Sequence, residues 1–175
     1  MFDELLQRIA WPLSPGSRTA LGPMPGSSPA RLVAELAQQG GFQLVITADT
    51  QSANTLLREL AFYNRQQDVE VLLLPDWETL PYDNFSPHQD IISERLHALY
   101  RLPSLTSGVL VVPASTLMHR LPPREYIAGS SLVLNTGQQL DPVEFRRNLE
   151  RNGYRSVDTV LEHGEFAQRG SLLDI

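Results

Sequence analysis

Three short runs of Val, Leu and Ile, separated by helix-like stretches, constrain this chain more than any other feature. They are Phe42–Thr47 (FQLVIT), Val69–Leu74 (VEVLLL) and Val109–Val112 (VLVV). Each is too short and too continuously apolar to be a half-solvated antiparallel strand, and each is separated from the next by an amphipathic segment. Strands of that kind need cover on both faces, so the pattern predicts an α/β fold built on a parallel sheet. The intervening segments carry apolar stripes at helical spacing: Leu32, Val33 and Leu36; Ala53, Leu56, Leu57 and Leu60; Ile92, Leu96 and Leu99. The first of these helices is expected to be capped by Ser28, with Pro29 at its first position, and the second by Asp49 or Thr50. Phe2–Ile9 shows a shorter stripe that stops before Pro12, and Ala114–Arg120 reads as one last short helix.

The pattern changes at Leu121-Pro122-Pro123, which predicts a division into residues 1–120 and 121–175. Beyond it come a strand at Ser131–Leu134 and a helix capped by Asp141, with Pro142 first and Glu144 completing the cap. Strands at Tyr154–Leu161 and Glu165–Ile175 follow, joined by a turn at Glu162-His163-Gly164. This is a small α+β module, and its final apolar run, with no turn after it, reads as a domain incomplete at its C-terminal end. The charge of −6 over 175 residues argues against nonspecific binding of a phosphate backbone. The absence of cysteine removes disulfide scaffolds, thiol nucleophiles and Cys-based zinc sites. No apolar run reaches the roughly 18 to 20 residues a membrane-spanning helix needs, and the N-terminus lacks a signal-peptide pattern, so a cytoplasmic protein is expected.

Four places could carry chemistry. The loop Gly22–Ser28 feeds a helix, where phosphates bind, but a P-loop needs Gly-Lys-[Ser/Thr] at its end. At Gly26-Ser27-Ser28-Pro29-Ala30 a proline stands in the lysine position and an alanine in the hydroxyl position, so nucleotide binding there is the weaker alternative to a plain helix start. The stretch Asp76–His88 packs three aromatics, two prolines and three carboxylates into thirteen residues. His88 and Asp90 near those acids show no metal-ligand register, and Trp77, Tyr82 and Phe85 read as packing or interface anchors. Ser115 and Thr116 sit just past a buried strand, where α/β proteins place functional residues, and also where a helix cap would stand. Last, the run Glu165-Phe166-Ala167-Gln168-Arg169 alternates along a strand; its arginine suits an interface anchor and a solvated cross-strand ion pair equally.

Two longer runs carry a resemblance. DWETLPYDNFSPHQDIISERL (Asp76–Leu96) and GYRSVDTVLEHGEFAQRGSLLDI (Gly153–Ile175) are similar to the N-terminal, UvrB-like region of the bacterial transcription-repair coupling factors, the Mfd family. The ending GEFAQRGSLLDI also resembles a strand of the excision-repair protein UvrB, in which the run continues as Phe-Pro. The resemblance implies a degenerate helicase-like (RecA-type) domain without a working P-loop, followed by a small domain that binds UvrA. It makes Arg169 the first candidate for UvrA contact, with Glu165, Phe166 and Arg155 behind it. It implies no catalytic residue, metal or cofactor here. The ATP- and magnesium-dependent double-stranded DNA translocase and the RNA polymerase contacts would belong to other parts of such a protein, an ATP-hydrolysing, helicase-like repair factor.

Overall fold

The computed structural model describes residues 14–65, 69–80, 82–130, 134 and 136–175. The expected Phe2–Ile9 helix and most of the expected Ser131–Leu134 strand lie outside them. The chain gathers into two compact units: residues 1–76 with 101–120, and residues 77–100 with 121–175.

In the first unit, helix α1 (Ser28–Gln38) leads to strand β1 (Phe42–Thr47), helix α2 (Thr50–Tyr63), strand β2 (Val71–Leu73) and, later, strand β3 (Gly108–Pro113). The strands form a parallel sheet in the order β1-β3-β2, with Leu44 opposite Leu110 and Leu72 opposite Leu110. The α/β expectation thus holds, and β3 is the fully buried centre. The alanine-rich face of α1 (Ala30, Ala34, Ala37) and Ala53, Leu56 and Leu60 of α2 close on Val109 and Val111. Small residues on α1 let the two helices approach the sheet and each other closely. Asp49 caps α2, accepting the Ser52 N–H at 2.7 Å.

Several local readings need correction. Ser28 does not cap α1: Ser27 precedes the helix without a side-chain cap bond, and the Ser28 hydroxyl donates back to the Pro25 carbonyl. Strand β1 is not buried on both faces. It is a sheet edge, and Phe42, Leu44 and Ile46 on the face away from α1 and α2 are 42, 48 and 55% exposed. Strand β2 is shorter than Val69–Leu74 because the Asn64 side chain takes both backbone groups of Val69, Nδ2 donating to its carbonyl and Oδ1 accepting its N–H. After β3 there is only a single 3-10 turn at Thr116–Met118 instead of a helix to Arg120.

The second unit holds most of helix α3 (Gln89–Arg101), then α4 (Arg124–Ser130), α5 (Pro142–Arg151) and the strands β4 (Arg155–Ser156), β5 (Glu165–Arg169) and β6 (Leu172–Asp174). Asp141 caps α5 as expected, accepting the N–H groups of Val143 and Glu144. Helix α4 had no signature in the apolar pattern. Helix α3 buries Arg95 and Ala98, while Leu96, expected to face inward, is exposed. The Trp77 ring lies over the Arg95 guanidinium, 4.1 Å from ring centroid to Cζ, and this stacking takes a cation into the interior.

The two long strands expected at 154–161 and 165–175 do not form. The first is only the two-residue β4, which pairs with β5 in parallel. The second breaks at Gly170, whose φ of +62° opens an antiparallel hairpin between β5 and β6. The core of this unit is Phe145, Leu149 and Phe166, with Tyr154 and Leu173 packed against it.

Candidate functional site

Arg155, Glu165, Phe166 and Arg169 are brought to one small sheet, but they differ sharply in what they can reach. Phe166 is 0% exposed, a core residue between α5 and the strands. Glu165 is buried too, with both carboxylate oxygens used inside the protein. Oε1 accepts from Arg155 Nη2, and Oε2 accepts the N–H groups of Leu161 at 2.9 Å and Glu162 at 3.2 Å. Arg155 keeps a side chain 70% exposed while making that pair. Arg169 is exposed, and its Nη2 donates to the Asp158 carbonyl at 2.7 Å and the Thr159 hydroxyl at 3.1 Å. The expected alternatives for Arg169 therefore meet a third arrangement. The ion pair of this strand belongs to Arg155 and Glu165, and Arg169 instead grips the loop before β5.

Those bonds give Glu165 its electrostatic character. Its carboxyl is held below its ordinary value of 4.5, first by the Leu161 N–H and then by Arg155; the Arg155 guanidinium is correspondingly raised by the Glu165 hydrogen bond. A carboxylate with a folded-state pKa below that of the unfolded chain adds stability above pH 4.5 and loses it as pH falls through the folded value. The protection factors of the Leu161 and Glu162 amides in hydrogen exchange are therefore expected to fall as the pH drops below 4.5. Unchanged protection throughout acidification would contradict this role for Glu165.

A phosphate-binding loop needs a strand before it and a helix after it. Among the described residues no strand precedes Gly26–Ala30; the strand-turn-helix sequence in this unit is β1, Ala48-Asp49, α2. There Asp49 places its own carboxylate on the helix N-terminus and is held below its ordinary 3.8 by Ser52. An anionic side chain already seated on the free N–H groups repels a phosphate, and no lysine stands nearby in sequence. At the same carboxyl edge of the sheet, Asp76 accepts hydrogen bonds from the Ser115 and Thr116 hydroxyls. Donors and acceptor satisfy one another there, which accounts for the three residues structurally.

The Asp76–His88 stretch forms an irregular loop. Glu78 and Tyr82 have φ of +57° and +81°, uncommon for residues with a side chain. Asp83 braces the loop by accepting the Leu80 N–H at 2.7 Å. Tyr82 and Phe85 project into solvent, whereas Trp77 packs on Arg95. Just beyond, Asp90 lies 3.2 Å from both His88 and His163, all three well exposed. Neither these three nor any other group of three or more His, Cys, Asp or Glu side chains among the described residues is arranged to hold a metal ion, and no described helix is long and apolar enough to cross a membrane.

Residues 132–175, the segment that holds all four candidate residues, match the family described as UvrB interaction domain. Almost the whole chain aligns with longer proteins named transcription-repair-coupling factor. The one from Escherichia coli is 47% identical over 169 residues, covering 96% of this chain and 14% of that protein. The one from Haemophilus influenzae is 44% identical over 165 residues, covering 94% of this chain and 14% of its own length. The chain belongs to the transcription-repair-coupling factor family. It spans about one seventh of the length of these curated relatives. A Mycobacterium bovis transcription-repair-coupling factor is 35% identical over 185 residues, 99% of this chain.

Within this transcription-repair-coupling factor segment, the sequence pattern missed the loop between β4 and β5. Its residues Asp158, Thr159, Leu161 and Glu162 are each tied to Arg169 or Glu165. A signal was present: an acid and an arginine flanking an apolar strand, directly after a loop rich in backbone donors and acceptors. Strand alternation alone assigned those side chains to faces and gave no hint that they reach back.

Proposed function

We propose that this chain is the UvrB-like module of a transcription-repair coupling factor, an adaptor that recruits UvrA to lesions where RNA polymerase has stalled. The observation that carries the reading is the match of residues 132–175 to the UvrB interaction domain, on a unit that presents Arg155 and Arg169 to solvent. Arg169 is the first choice for UvrA contact. Its Nη2 is engaged within the protein, which fixes the guanidinium plane, and a planar fork fixed in advance suits a carboxylate or carbonyl partner. Arg155 is the second choice. Glu165 and Phe166 act from within, holding the surface.

In this reading the first unit does no chemistry of its own: Pro29 and Ala30 stand where a P-loop needs lysine and a hydroxyl, and Asp49 occupies the N-terminus of the helix that follows β1. ATP and magnesium, double-stranded DNA translocation and polymerase displacement belong, in this reading, to parts of the protein beyond this chain, and the assembly works in the cytoplasm. The test is direct titration of purified UvrA with the chain by calorimetry. Saturable binding that weakens on Arg169→Ala by about 2 kcal/mol or more is expected; absence of binding by the wild-type chain refutes the reading.

A further inference from the structure

We infer that Leu161 is the apolar anchor of the partner-facing surface and that Glu165 is the residue that positions it. This deepens the proposed adaptor role and rests on it. The loop from Val157 to Gly164 has no regular structure, yet its backbone is tied along its length. At its ends Val157 N–H donates to the Phe166 carbonyl at 2.9 Å and Arg155 N–H to the Gly164 carbonyl at 2.8 Å. Between them Arg169 holds Asp158 and Thr159, and the Glu165 carboxylate holds the amides of Leu161 and Glu162. On this fastened stretch the Leu161 side chain is 84% exposed.

An apolar side chain held out by a buried carboxylate differs from one on a slack loop. The conformational entropy of ordering the loop is lost on folding, so association does not lose it again, and more of the burial of Leu161 counts as affinity. Interface hot spots combine such a buried anchor with arginine, and two arginines beside it remain at the surface: Arg169, which grips this loop, and Arg155, which pairs with Glu165. The partner that fits is a protein with an apolar pocket for one branched side chain. Its rim carries an acceptor for Arg169 and donors for the exposed Asp158 and Glu162. Tyr82 and Phe85 are as exposed as Leu161, but they lie outside the segment that matches the UvrB interaction domain. Glu165 itself is buried, with both oxygens engaged by Arg155 and two amides.

The test titrates purified UvrA with the whole chain as wild type, Leu161→Ala, Glu165→Gln, the double variant and Arg169→Ala, with thermal melts in parallel. Leu161→Ala is expected to weaken binding more than about 10-fold with an unchanged melting temperature, as befits an exposed side chain. Glu165→Gln is expected to weaken binding in the wild-type background and to add little in the Leu161→Ala background, the signature of a residue acting through another. If Leu161→Ala binds as tightly as wild type while Arg169→Ala does not, the anchor is overturned and the UvrA reading stands. If the Glu165 and Leu161 effects add in full, the positioning role is overturned. If the wild-type chain does not bind UvrA, both fall together.

Discussion

Phe166→Ala is expected to destabilise the second unit by about 3–5 kcal/mol. The ring is completely buried against Phe145 and Leu149, with Tyr154 and Leu173 alongside, and this small cluster is the unit's packed centre. Truncation removes a large apolar surface and leaves a void that helix α5 and the short strands cannot collapse into without losing their own pairing. Denaturant unfolding followed by circular dichroism is expected to show an early transition absent from wild type. Phe166→Leu, which retains most of the volume, is expected to restore much of the stability. A Phe166→Ala chain of wild-type stability that nevertheless loses UvrA binding would place Phe166 on the contact surface and contradict its role in the core.

Gly108→Ala has the second large effect, in the first unit. Gly108 begins the central strand with φ of +143°, which side chains rarely adopt. A Cβ there would stand 2.6 Å from the Glu70 carbonyl and 3.0 Å from Leu105 Cδ1. The carbonyl cannot yield, because it accepts the Val109 N–H at 2.9 Å as β3 enters the sheet. Strain and overlap together are expected to cost about 2–4 kcal/mol. Gly41→Ala is the comparison: its φ of +89° is also unfavourable, but a Cβ would meet open space. A melting-temperature series is expected to place Gly108→Ala well below Gly41→Ala, and equal values would refute the steric argument.

What the sequence revealed, and what it did not, follows from the range of the interactions concerned. The parallel sheet was legible because β3 and its partners are continuous runs of branched residues, and the Asp49 and Asp141 caps were legible because a cap reaches only two or three residues along the chain. Leu96 on α3 was misread, and the buried Arg95 beside it missed, because an apolar stripe says nothing of Trp77, which stacks on Arg95 from eighteen residues away. The exposed face of β1 escaped for a related reason: composition cannot tell which strand of a sheet keeps one face uncovered, and Phe42, Leu44 and Ile46 lie on such a face. The association of Trp77–Tyr100 with Leu121–Ile175 depends on contacts between distant stretches, such as His163 with Asp90, that no local pattern encodes.

The candidate site shows the same division. Motif likeness pointed to the segment that matches the UvrB interaction domain, and alternation along β5 grouped its side chains, but neither said which of them face inward. Phe166 is interior because α5 closes over it, and Glu165 because Arg155 and the amides of Leu161 and Glu162 enclose its carboxylate on the other face of β5, whereas Arg155 and Arg169 reach past the sheet to solvent. The most direct test of the central claim, that this chain is a non-catalytic module binding UvrA through its exposed arginines, is calorimetric titration of UvrA with wild-type and Arg169→Ala chains of matched thermal stability. Arg169→Ala is expected to bind at least about 30-fold more weakly, the equivalent of about 2 kcal/mol. Equal affinities for the two chains would contradict the claim.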